Sequence, residues 1–167
     1  PGSSGSLEGG VPFPMQAPGA AFNPRRDAAA RYGTVELVQG LLRAGAQVQQ
    51  RHGGELMVND LSLQAGGPIP HHGSHQGGRD ADVLFYVLDA RGEPRSAVGA
   101  PLDLDGRGVD FGDLSVSADD TPVRLDVVRT WAFVEALLSD PEASVQRMFV
   151  ARHLRARLLR HARRQRA

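Results

Sequence analysis

The sequence predicts an α+β domain. Its apolar residues recur first at helical spacing, then in two strand-like runs, and then as helix, strand and helix. Strands and helices are not regularly interleaved, as they would be in a doubly wound parallel sheet. The 167 residues, 41% of them hydrophobic, suit one domain with a sizeable core. No apolar run approaches the roughly 20 residues of a membrane-spanning helix. Because there is no cysteine, disulfides and Cys-ligated zinc are excluded.

The N-terminal part is predicted to be an extended arm. Residues 1–24 are rich in Gly, Pro and Ser, so we expect little regular structure there. A few apolar side chains would let this arm dock across the domain surface: Val11, Phe13, Met15 and Phe22. We therefore divide the chain into an arm, residues 1–31, and a domain, residues 32–167.

The first helix of the domain is marked at both ends. Thr34 is a suitable N-cap, and the helix should run to about Gln50 and stop at Gly53-Gly54. A strand is predicted over residues 56–63, before a Gly- and Pro-rich break. After a loop of His and Gly, residues 82–89 are short, apolar and β-branched or aromatic, which is typical of a buried central strand.

The second half begins with a turn-rich stretch. Residues 90–122 contain no clear element beyond a possible strand near residues 98–102. A helix that buries Trp131 is predicted over residues 125–138. A short strand at residues 145–150 and a last helix at residues 152–164 complete the pattern.

The last helix is strongly basic. All 19 basic residues of the chain are Arg, and residues 147–167 hold eight of them with no acid. Such a segment can bind nucleic acid or another anionic partner. Its Arg residues alternate with Leu, however, and no aromatic residue follows Phe149, so we favour a solvated helix face and expect no nucleic-acid binding.

A loop with two histidines precedes the predicted central strand and supplies the candidate site. His72 and His75 are followed, after a Gly-Gly pair, by Asp80 and Asp82. Imidazole and carboxylate groups together suit a divalent metal such as zinc, and the glycines let the loop fold back on itself. If the strand already begins at Asp80, then Asp80 and Asp82 lie on one strand face, and either could be a ligand while the other hydrogen-bonds an imidazole. The alternative is a polar loop whose His and Asp side chains only bond one another.

The other candidate residues have ordinary explanations. His52 lies at a helix C-terminus, where a cation favours the dipole. His71 adjoins His72 and should point the other way. His153 and His161 lie about two helical turns apart, too far for one metal. Ser74 lacks the G-x-S-x-G setting of an acyl-enzyme nucleophile.

Several segments, in order, resemble the penicillin-insensitive murein endopeptidases. The zinc-motif resemblance lies in Ser74-His75-Gln76, Gly78-Arg79-Asp80 and Asp82. Further agreement covers nearly the whole chain and comprises Gly5-Ser6-Leu7, Gly10-Val11 to Pro14, Tyr32-Gly33-Thr34, Glu36-Leu37-Val38, Asp60-Leu61-Ser62, Gly66-Gly67, Asp126 to Leu138 and Val145 to Val150.

The resemblance implies a zinc metallopeptidase that cuts peptide cross-links of peptidoglycan, in the periplasm or after secretion. Its fold would be a small central antiparallel sheet flanked by helices. His75 and Asp82 match the family's first two zinc ligands, and His72 matches a histidine linked to an additional metal position. Asp80, Ser74 and Gln76 are possible hydrogen-bonding partners of the ligands, and the stem peptides of peptidoglycan are the expected substrate.

The chain departs from the family at its end. The family completes its site with a His-x-His motif on a later strand, which supplies the third ligand and a base, and the sequence holds no such motif. We expect that the chain stops before that motif and lacks the last strand, and that it is inactive by itself. The alternatives are a homologue that binds metal or cell wall without cutting, and an α+β domain whose basic helix docks on an anionic partner.

Overall fold

The computed structural model describes residues 5–112 and 116–165, and the α+β class predicted from the sequence is confirmed. Its three helices are α1 (Val35–His52), α2 (Val127–Ser139) and α3 (Arg152–Gln165). The described strands are short: β1 (Val11–Pro12), β2 (Gln16–Ala17), β3 (Ala20–Phe22), β4 (Tyr32–Gly33), β5 (Leu56–Val58), β6 (Val87–Leu88), β7 (Pro94–Arg95), β8 (Arg107–Asp110) and β9 (Thr121–Leu125). None of the described helices is long and apolar enough to cross a membrane.

Helix α1 begins and ends as its local sequence predicts. The Thr34 hydroxyl accepts the backbone N–H of Leu37 at 3.3 Å, which satisfies one free donor of the first turn. The helix ends two residues later than predicted, before Gly53, whose φ of 67° suits only glycine well. Its buried stripe, which includes Val38, Leu41 and Val48, packs in the main core.

The N-terminal segment is part of the core, which corrects the expectation of little regular structure. It contributes β1, β2 and β3, and β3 pairs in parallel with β5, Ala20 lying opposite Leu56. Phe13 and Phe22 are 0% and 1% exposed. Because the two aromatic side chains are buried in the core, this segment contributes to the folding free energy of the domain. The boundary at residue 31 stays a prediction.

The two strands predicted around the histidine loop are shorter than expected. Only Leu56–Val58 and Val87–Leu88 are regular strands. Between them the backbones still pair irregularly: the Asn59 N–H donates to the Asp82 carbonyl (2.8 Å), and the Asp82 N–H donates to the Asp60 carbonyl (2.9 Å). This pairing puts Asp82 directly beside Asp60.

The turn-rich stretch holds more strand than predicted. Instead of a strand at residues 98–102, the structure has β7, β8 and β9, which form with β6 an antiparallel sheet in the order β7-β6-β9-β8. Leu102 makes only an isolated bridge to Gly108. This four-stranded antiparallel sheet is separate from the three-stranded sheet β2-β3-β5.

Two predictions for the C-terminal part differ from the structure: the strand at residues 145–150 and the burial of Trp131. Residues 145–150 form no strand, because their side chains, notably Val145 and Met148, pack against the core without a backbone ladder. Trp131 in α2 is only half-buried. Helix α3 lies where predicted and buries Leu154 and Leu158.

Candidate metal centre

The loop that carries the histidines is folded back on itself. The Gly67 N–H donates to the Gln76 carbonyl at 2.9 Å, which closes the loop between residues 67 and 76. At Gly66, with φ of 78°, a Cβ would lie 2.5 Å from the Gln76 oxygen, so no other residue fits there. His75 itself has a φ of 62°, an uncommon value for a residue with a side chain.

Three potential metal-binding side chains meet in this loop: His72, His75 and Asp82. One ligand atom of each lies within 4.8 Å of the others. The distance from His75 Nε2 to Asp82 Oδ1 is 3.4 Å, and from His72 Nδ1 to Asp82 Oδ2 it is 3.7 Å. The two imidazole rings are tilted by 55° with centroids 4.5 Å apart. His75 is buried and Asp82 is exposed, so the group opens on one side to solvent.

The second nitrogen of each imidazole is bound to an acceptor. His75 Nδ1 lies 2.8 Å from the carbonyl oxygen of Leu61, which only accepts, so Nδ1 carries the proton of the neutral ring. His72 Nε2 lies 3.2 Å from Asp60 Oδ2. In the neutral rings, the free lone pairs are therefore on the two nitrogens nearest Asp82. Holding the outer nitrogen in this way is how proteins orient histidine ligands.

The pKa values reflect the contact between His75 and Asp82. Burial lowers the pKa of His75, but the hydrogen bond and charge of Asp82 outweigh it, and the net pKa is raised. The hydrogen bond from His75 lowers the pKa of Asp82 more than burial raises it. Without a metal, the pair therefore favours imidazolium beside carboxylate. A cation at the same place would replace that proton.

The three residues predicted as hydrogen-bonding partners of the ligands lie near the site but make other contacts. Asp80 Oδ2 accepts the backbone N–H of His75 at 3.3 Å, so it contacts the backbone of the loop rather than an imidazole. Gln76 Oε1 accepts the N–H of Gly5 at 3.3 Å. Ser74 is exposed at the edge of a groove. His71 is exposed and lies outside the three-donor group, as do His52, His153 and His161.

Two residues of the site were not found from the sequence. Asp60 is 4% exposed and contacts His72, and Arg26 forms an ion pair with the same carboxylate oxygen. For Asp60, the sequence signals were its place in the resemblance and its position as an acid within a largely apolar predicted strand, which is costly to bury unless it is paired. Its partners lie 12 and 34 residues away, so spacing alone could not identify them.

A groove of about 1100 Å³ is lined by two of the three donors, His75 and Asp82, and by an apolar wall. One end is lined by His75, Asp80 and Asp82. The wall is formed by α1, α2 and the irregular residues 143–150, and includes Leu41, Phe133, Leu137, Val145 and Met148. This volume is above the roughly 300–1,000 Å³ of ordinary ligand pockets, so the groove has room for a peptide segment next to His75 and Asp82.

Comparison with known proteins identifies the family of the chain. The sequence pattern of the penicillin-insensitive murein endopeptidases matches residues 2–167. The chain belongs to this family. A penicillin-insensitive murein endopeptidase of Klebsiella pneumoniae is 32% identical over 90 residues, which cover 53% of this chain and 32% of that protein. One of Yersinia pestis is 29% identical over 113 residues, covering 64% and 40%, and one of Salmonella paratyphi C is 30% identical over 90 residues, covering 53% and 32%.

The family resemblance drawn from the sequence is thereby confirmed. The matched chain spans only about a third to two fifths of these murein endopeptidases. Their names describe peptidases that act on murein. Within the part of the chain that the structure describes, the three donors form a possible metal site whose metal the comparisons do not name.

Proposed function

We propose that the chain is the metal-binding part of a zinc-dependent endopeptidase that hydrolyses peptide cross-links of peptidoglycan, in the periplasm or outside the cell. His75, Asp82 and His72 would hold the zinc. The observation that carries this proposal is the convergence of two imidazole lone pairs on one carboxylate at the end of a groove. Family membership gives the substrate class.

The distances favour a metal site over a polar loop. The outer contacts of the imidazoles, at 2.8 and 3.2 Å, are hydrogen-bond distances. The inner distances to Asp82, at 3.4 and 3.7 Å, are longer. Ligands of a tetrahedral zinc, bound at about 2.0–2.1 Å, lie about 3.3–3.4 Å apart. Imidazole donors also favour zinc over magnesium or calcium, which take oxygen ligands.

Each group of the site has a separate role in the proposed peptide hydrolysis. Zinc bound here would polarise a scissile carbonyl and lower the pKa of a bound water to about 7. His75 and His72 bind through the nitrogens that their outer contacts leave free, and Asp82 supplies charge. The apolar groove wall holds the peptide beside them, so that its carbonyl reaches the donors. None of these residues is assigned the role of the base that takes the proton of the attacking water.

The group of three donors does not include a residue that could act as the proton acceptor. Among the described residues no further His, Asp or Glu joins the three-donor group. We therefore expect the 167-residue chain to bind zinc and peptidoglycan but not to cut, and expect cleavage only from a product that also supplies the base. The same observation favours the second candidate, a homologue that binds metal or cell wall without catalysis.

Zinc content tests the ligands. The wild-type chain should hold one zinc, whereas His75→Ala and Asp82→Ala should each lose it when measured by mass spectrometry after gel filtration. His52→Ala is the matched control, because His52 is exposed at the end of α1 and lies outside the donor group. Equal zinc in all four proteins would refute the ligand assignment.

Muropeptide release tests the reaction. The gene is expressed both as this chain and with any further coding sequence, and each product is incubated with purified peptidoglycan and analysed by chromatography. We expect cleaved cross-links only with the longer product, abolished by a chelator and by His75→Ala. A zinc-loaded longer product that binds peptidoglycan without releasing fragments would contradict the enzyme and favour the binding homologue.

A further inference from the structure

Two consecutive residues, Asp60 and Leu61, contact all three candidate ligands. The Leu61 carbonyl accepts from His75 Nδ1 at 2.8 Å, and the Asp60 carboxylate lies 3.2 Å from His72 Nε2. The Asp60 carbonyl also accepts the backbone N–H of Asp82 at 2.9 Å. The segment of residues 59–61 therefore sets the orientation of two imidazoles and the position of the carboxylate.

The segment is itself held from the N-terminal part of the chain. Arg26 forms an ion pair with Asp60 through the oxygen that faces His72. The Asn23 side chain, 0% exposed, donates to Asn59 Oδ1 at 2.9 Å. The Leu61 N–H donates to the Ala30 carbonyl at 2.8 Å. Residues 23–30 thus fix the backbone and the buried carboxylate that stand behind the ligands.

We infer that Asp60 is a positioning residue for His72 and that Arg26 fixes Asp60 for this task. The inference rests on the proposed metal site, and it adds two residues that do not touch the metal. A carboxylate that accepts the N–H of the outer nitrogen, Nε2, fixes the tautomer and the orientation of the ring. It also makes the inner nitrogen, Nδ1, more basic and therefore a better metal ligand. Arg26 holds the carboxylate oxygen in place, since a charge-assisted pair is stronger than a neutral one.

The test compares two variants that each remove a buried, Arg-paired carboxylate. Asp126 is 3% exposed, against 4% for Asp60, and it pairs with Arg129 at the start of α2, outside the donor group. Asp60→Ala should weaken zinc binding by about 10- to 100-fold, the usual effect of losing such a partner. Asp126→Ala should lower the melting temperature but leave zinc affinity within about twofold of wild type, because it does not face a ligand.

Zinc affinity is measured by competition with a chelating dye on protein whose fold is checked by circular dichroism. Arg26→Gln, which leaves the carboxylate in place, should weaken binding less than Asp60→Ala. Unchanged affinity in Asp60→Ala would overturn the inference. An equal loss in both Ala variants would do so too, because the effect would then be general destabilisation. If Asp60→Ala does not fold, Asp60→Asn replaces it, and a loss under about threefold would be contrary evidence.

A second readout separates this inference from the proposed function. Nitrogen-15 NMR of the metal-free protein reports the tautomer of His72. In wild type the proton should reside almost entirely on Nε2, and the fraction of that tautomer should fall in Asp60→Ala. A wild type that takes up no zinc but keeps this tautomer would refute the metal site and support the positioning. The same tautomer distribution in both proteins would refute the positioning whether or not zinc binds.

Discussion

Removing the Phe13 side chain should cost a large share of the stability of the whole domain. Phe13 lies in the segment that the sequence predicts as a surface arm, yet it is 0% exposed and belongs to the main core. Its N–H donates to the Arg31 carbonyl at 2.6 Å, and its carbonyl accepts from the Arg31 guanidinium at 2.8 Å. Because the backbone is held on both sides, the cavity left by Phe13→Ala cannot close by local movement.

The expected cost of Phe13→Ala is therefore the usual one for a large core cavity, about 3–5 kcal/mol. A domain of this size is stable by about 5–15 kcal/mol. Each kcal/mol shifts the melting temperature of such a domain by about 2–4 °C, so the fall should be about 6–20 °C. Met15→Ala is the control in the same segment, because Met15 is 45% exposed, and it should cost less than about 1 kcal/mol.

The measurement is urea unfolding in the presence of a chelator, which removes any contribution of bound metal. Trp131, the only tryptophan and half-buried in α2, reports the tertiary structure of the domain, and circular dichroism reports the helices. If Phe13→Ala unfolds within about 1 kcal/mol of wild type, the segment is a docked arm, and our assignment of it to the core is refuted.

Three further predictions concern the charged groups. In the metal-free protein, the raised pKa of His75 contributes stability below about pH 6.5, and this stability is lost as the pH rises through the pKa of His75 in the folded state. The lowered pKa of Asp82 contributes stability above about pH 4, and this stability is lost as the pH falls through the pKa of Asp82 in the folded state. Zinc must displace the His75 proton, so the gain in melting temperature on adding zinc should be larger at about pH 8 than at about pH 6, and an equal gain would contradict the assignment. His75→Gly and His75→Ala should both lose zinc, but the glycine variant should be more stable by about 0.5–1 kcal/mol in urea unfolding, because φ is 62°; equal or reversed stabilities would contradict strain at this position. Replacing the exposed Arg155 and Arg160 by Gln should leave retention on a heparin column in about 0.15 M salt unchanged, whereas a large loss would support the anionic-partner alternative.

Local chemistry made part of the fold predictable. The cap at Thr34 and the glycine at 53 fix both ends of α1 within a few residues, so the helix was found almost completely. The predicted strand at residues 145–150 was wrong because an apolar, β-branched run has the same composition whether or not a partner strand exists. The strands β8 and β9 were missed for the opposite reason. They are partly exposed and polar, and pairing with a neighbour, rather than composition, makes them strands.

The candidate site was predictable only where its residues are close in sequence. His72, His75 and Asp82 lie within eleven positions, and a glycine-rich turn brings them together. The acceptors that orient the imidazoles come from Asp60 and Leu61, across irregular backbone pairing between two shortened strands. That pairing depends on the N-terminal segment, whose Gly and Pro content gave no sign of its buried side chains.

The backbone of His75 also bears on whether this loop is a polar turn or a metal site. A side-chain residue in the left-handed region costs about 1–2 kcal/mol, and a polar turn could avoid that cost with a glycine. Here the cost is retained by a buried histidine, whose ring is fixed by the Leu61 carbonyl and whose N–H is bound by Asp80. Strained residues of this kind persist where surrounding contacts hold them for a task. In this loop the fixed backbone places the free nitrogen of His75 3.4 Å from Asp82, where the two side chains can share either a proton or a metal ion.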